Sequence, residues 1–163
     1  MQIIINSREY ECWHEAGHAV VCLLHGGKVE LMEIIQDKDH VGRARARCET
    51  TNSTRPKIAC GGFAAEYYLY ETGAIDVTEK EFVQSALVNA FPDKKQFFGA
   101  DYEQSNGCWP TEMDIRFRDY AIYQIAPLLK NNHGLLKELA NTLFEKEIIY
   151  EDEIQTIKEN YIK

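Results

Sequence analysis

The chain lacks a long hydrophobic run. No apolar stretch approaches 18 residues, so no membrane-spanning helix is encoded. The first residues, Met1-Gln2-Ile3-Ile4-Ile5-Asn6, have no basic start and are too few for a secretory signal. Basic charge is scarce: the net charge of -8 argues against binding a phosphate backbone. There is no G-x-x-x-x-G-K-[ST] loop, which excludes a P-loop nucleotide site. The five cysteines, Cys12, Cys22, Cys48, Cys60 and Cys108, are odd in number and form no C-x-x-C pair. They read as unpaired thiols in a reducing cytoplasm rather than as a disulfide framework, with Cys22 and Cys60 as small buried apolar residues. No repeat or low-complexity tract interrupts the 163 residues, whose length suits one domain over 1–163.

What is present is the pentapeptide His14-Glu15-Ala16-Gly17-His18. Two histidines four apart share one helix face, and the glutamate lies beside the first. This is the H-E-x-x-H arrangement: each imidazole offers a nitrogen to one zinc ion, and the carboxylate takes a proton from metal-bound water. Tyr10, Trp13, Gly17, Val20, Val21 and Leu24 recur at helical spacing. Asn6 with Glu9 forms an expected capping box, and Gly26-Gly27 a stop. Gly17 inside the helix costs on the order of 1 kcal/mol against alanine, which suggests close approach by another backbone.

Beyond this helix, Lys28 to Ile35 and Val41 to Cys48 read as two strands. The second alternates small and basic residues, and Gly42, Arg43 and Ala44 would let a substrate backbone approach an edge strand beside the metal. Lys57 to Glu71 reads as a helix. Thr78 with Glu81 caps another, running to about Phe91. Phe97 to Pro110 reads as irregular. Thr111 with Asp114 caps a long helix to Asn131, bent at Pro127, and helices follow over 135–147 and 152–161.

The string His14 to Val21 closely resembles the zinc helix of FtsH-type, AAA-linked zinc peptidases. Gly61-Gly62-Phe63-Ala64-Ala65-Glu66 resembles that family's following Gly-Gly-x-Ala-Ala-Glu segment, and the end of the chain resembles the close of the peptidase domain. The resemblance implies a mainly α (α+β), zincin-like helical domain with a small hairpin or sheet beside the zinc helix. It implies Zn²⁺ on His14 and His18, Glu15 as general base, and Glu66 near the metal or orienting a ligand. Peptide or unfolded protein is the expected substrate, with no nucleic acid partner. No ATPase module accompanies the peptidase-like part, so a free-standing domain is expected.

The resemblance also implies a third ligand, an aspartate near the start of a later helix. Asp76 follows Thr72-Gly73-Ala74, Asp101 lies in Gly99-Ala100-Asp101, and Asp114 lies in Met113-Asp114-Ile115 in a first helical turn. Asp114 is preferred. Asp76 comes too soon after Gly73, which the helix carries about 10 Å from Glu66. A non-catalytic protein-binding module that kept the zinc helix is the alternative function.

Overall fold

The computed structural model describes residues 2–35, 43–99 and 111–162. The order is α1 (Arg8–Leu24), β1 (Lys28–Ile35), β2 (Arg43–Glu49), α2 (Arg55–Ala59), α3 (Gly61–Glu71), α4 (Glu79–Asn89) and α5 (Phe91–Phe98). After these come α6 (Glu112–Tyr120), a π-turn over Ala121–Ile125, α7 (Ala126–Asn131), α8 (His133–Lys146), β3 (Ile148–Tyr150) and α9 (Glu151–Glu159). The fold is mainly helical with one small antiparallel sheet, the expected α+β class. Among the described residues no helix is long and apolar enough to cross a membrane.

Helix α1 is the axis of the core. Ala16, Ala19, Val20 and Val21 are fully enclosed, against α3 on one side and the Leu135, Leu136, Leu139 and Leu143 stripe of α8 on another. The expected close approach at Gly17 is met by α3. A Cβ on Gly17 would overlap the Gly61 carbonyl, and one on Gly61 would overlap the Gly17 carbonyl. Two glycines facing each other let the helix backbones touch, which brings α3 side chains within reach of the α1 histidines. The cap of α1 differs by one residue from expectation. Ser7, extended at ψ 170°, accepts from the Tyr10 N–H. Asn6 instead takes a left-handed φ of 62° and turns its side chain toward Ser85 and Asn89 of α4.

Strand β1 is central. It pairs antiparallel with β2 from Lys28↔Glu49 to Ile35↔Arg43, with one register shift between Val29 and Leu31. On its other side it pairs with β3, which the sequence reading did not anticipate. Within this three-stranded sheet β2 is an edge. Ala44 and Ala46 turn inward while Arg45 and Arg47 are exposed, Arg45 paired with Glu33. Cys22 of α1 is bonded to Cys48 of β2, which corrects the reading of all cysteines as unpaired. Cys12 and Cys60 are free and buried.

Both later capping boxes are present, Thr78 with Glu81 and Thr111 with Asp114. The bend expected at Pro127 falls just before it, as the π-turn. Proline has no N–H for the preceding turn, and the helix widens there instead. The main departure is α5, where no helix was assigned. Pro92 sits in the first turn of this helix, where its missing N–H costs nothing.

Candidate metal centre

His14 and His18 lie one turn apart on the buried stretch of α1, as their spacing dictates. Each ring is tied at Nδ1. His14 Nδ1 lies 2.6 Å from Glu66 Oε2 on α3, and the Asn89 amide donates to Glu66 Oε1 at 3.2 Å. Gly62 makes room for this ring, since a Cβ there would overlap the imidazole. His18 Nδ1 lies 2.6 Å from the Ile58 carbonyl oxygen. A carbonyl and a carboxylate only accept, so both rings carry their hydrogen on Nδ1. In the neutral rings, Nε2 then presents a lone pair.

Those two Nε2 atoms point at each other and at one carboxylate. They are 3.1 Å apart, and Asp93 Oδ2 of α5 is 3.1 Å from His14 Nε2 and 3.2 Å from His18 Nε2. Three acceptors at that separation repel unless a cation or a proton lies among them. Two imidazole nitrogens and one carboxylate oxygen are a zinc donor set, and bonds of about 2.0–2.1 Å in a tetrahedron hold ligand atoms about 3.3 Å apart. The triangle fits that ion, and three protein ligands are what a catalytic zinc keeps.

Asp114, the preferred third ligand, is not in this cluster. It is buried in an ion pair with Lys94, at 2.8 Å. Its place in the first turn of α6 was read correctly, but its carboxylate faces α5. Asp76 is exposed beyond the end of α3. Asp101 and Gly42 lie outside the described residues. The sequence reading ends the preceding helix at about Phe91 and places nothing over Asp93. The signal available was proline followed by an acidic residue, the pattern of a helix start.

Glu15 projects from the same turn of α1 toward the sheet. Its Oε2 accepts the Ala46 N–H of β2 at 3.0 Å, which joins the edge strand to α1. Arg43 opens β2 opposite Ile35, and the Ala44 side chain packs into the core.

The charges in the cluster couple strongly. Burial pushes the Glu15 carboxyl up, more than His18 and His14 draw it down. Burial would lower His14, but Asp93 and Glu66 outweigh it and hold the ring well above its ordinary value; His18 is raised likewise by Asp93. Burial would raise Asp93, but His18 and His14 hold it far below the carboxylate range.

The sign of the pH dependence follows. The raised histidines stabilise the metal-free fold fully below pH 6.5, and this is lost as pH rises through their folded values. The depressed Asp93 stabilises above pH 3.8, and this is lost as pH falls through its folded value. The metal-free cluster therefore contributes most between those two pH values. Zinc bound on the two Nε2 atoms would displace any proton held there, so its affinity should rise with pH through and above the usual histidine range. Thermal melts from pH 5 to 8.5, in chelator and in zinc, should diverge as pH rises. Parallel curves would show that no proton is exchanged for metal.

No protein-family model matches the chain. Over 94% of its length the chain is 30% identical to the ATP-dependent zinc metalloprotease FtsH of Mesomycoplasma conjunctivae (strain ATCC 25834 / NCTC 10147 / HRC/581). The match spans 25% of that protein's length. The chain is thus distantly related to FtsH, through a segment a quarter as long as that relative.

Proposed function

We propose that this domain is a zinc-dependent peptidase, with the metal held by His14, His18 and Asp93. The observation that carries this reading is the convergence of three acceptors at 3.1–3.2 Å, with both imidazoles fixed from behind. Zinc bound there would polarise a scissile carbonyl and acidify the attacking water. Glu66 and the Ile58 carbonyl keep the rings in one tautomer and one orientation, as outer partners of metal-bound histidines do. Glu15 takes the proton from the attacking water and passes it to the leaving amine. Its hydrogen bond from Ala46 anchors Oε2 and leaves Oε1 for that exchange. The β2 edge holds the substrate as an added strand, with Ala44 and Ala46 lying on the core and Arg45 and Arg47 in solvent. The substrate class is peptide or unfolded protein, and the relative's printed activity supports the same chemistry.

Metal analysis of protein purified without added zinc, followed by digestion of an unfolded protein, tests this. One zinc per chain is expected, with cleavage that a chelator abolishes and zinc restores. Stoichiometric zinc without cleavage would favour a binding module that has kept the metal centre. Absence of bound metal would sink both readings.

A further inference from the structure

Lys94 and Asp114 are 1% and 2% exposed, and Lys94 Nζ donates to Asp114 Oδ1 at 2.8 Å. Removing two charges from water is costly, and a buried pair seldom repays it relative to apolar residues of the same size. Such a pair is best explained by what it positions. Lys94 directly follows Asp93 on α5. Successive helical residues point about 100° apart, so Asp93 reaches the α1 histidines while Lys94 reaches α6. Rotating α5 enough to withdraw Asp93 would pull Lys94 off Asp114. Asp114 is itself fixed: its Oδ2 accepts from the Thr111 N–H at 3.2 Å and the Thr111 hydroxyl at 2.8 Å. Phe97 of α5, edge-on to Phe117 of α6 at 5.4 Å, is a second join but has no directional bond.

We infer that Lys94 and Asp114 are positioning residues for the metal centre. Their ion pair sets the rotation of α5 and so delivers Asp93 to His14 and His18. This rests on the metal site proposed above. Asp114, which the sequence nominates as a ligand, acts one helix away from the metal, through its neighbour's neighbour.

The test is a zinc competition titration on the whole chain, with the visible spectrum of the Co²⁺-substituted protein as a second readout. The variant Lys94→Met/Asp114→Leu removes both charges and leaves neither buried alone. Zinc affinity should fall about 10- to 100-fold, the usual effect of losing a ligand's support. The cobalt bands should shift, while the metal-free protein melts somewhat lower, because leucine also removes the cap on the Thr111 N–H. Asp114→Glu keeps the anion at a position where glutamate also caps, and it should restore affinity to within a few fold. A purely structural pair would change melting and leave affinity and spectrum alone. If the double variant does not fold, Asp114→Asn, which preserves volume and cap, decides by the same titration. Unchanged zinc affinity in a folded charge-free variant or in Asp114→Asn overturns the inference. If the unmodified chain binds no zinc, the metal reading itself falls, and that outcome is visible without any variant.

Discussion

Glu15→Gln should lower peptide cleavage by about 10²- to 10⁴-fold, the usual contribution of a positioned general base, while zinc content stays at one per chain. Glutamine keeps the size of the side chain, and its amide oxygen still accepts the Ala46 N–H that Glu15 Oε2 accepts at 3.0 Å. The edge strand therefore stays in place. What is lost is a group able to take a proton. Glu15 contributes no atom to the triangle of His14, His18 and Asp93, so metal affinity has no reason to fall. Cleavage at the unmodified rate with zinc retained would remove Glu15 from the mechanism. Loss of zinc as well would place Glu15 among the ligands.

The second large effect is on metal binding. Asp93→Ala should weaken zinc by more than the roughly 10- to 100-fold expected for loss of an outer partner. It deletes the one carboxylate among the described residues that meets both imidazoles, at 3.1 and 3.2 Å. Two histidines alone leave a zinc short of the three protein ligands of a catalytic site. Cleavage should vanish with the metal. Asp76→Ala is the matched control, because Asp76 is exposed and outside the cluster. It should leave zinc affinity unchanged. If the control loses zinc and Asp93→Ala does not, the third ligand has been misassigned.

The parts of the site that sequence revealed are those set by local geometry. His14 and His18 meet because residues four apart stack on a helix. Gly17 announced a close crossing because glycine is costly in a helix interior, and Gly61 proved to be the partner. The capping boxes at Thr78 and Thr111 are three-residue patterns and were equally legible. What failed depends on contacts between distant segments. Asp93 joins His14 across 79 residues, and nothing near Asp93 records that α5 delivers its carboxylate to the histidines of α1. Asp114 looked like a ligand because it opens a helix, but which carboxylate faces the two histidines depends on how α5 and α6 lie together. Strand β3 is three residues long and is defined by its pairing to β1, not by a pattern of its own. The bond between Cys22 and Cys48 escaped a reading based on cysteine number, since an odd count says nothing about which two sulfurs come together.

That bond alters how the site would respond to damage. Cys22 lies one turn beyond His18, and Cys48 two residues beyond Ala46. Helix α1 and the strand bound to Glu15 are therefore connected along two covalent routes, the hairpin and the sulfur bridge. A single nick anywhere between residues 22 and 48 leaves both pieces in one molecule. After a cut in that span, the strand whose Ala46 N–H meets Glu15 would come away only after reduction.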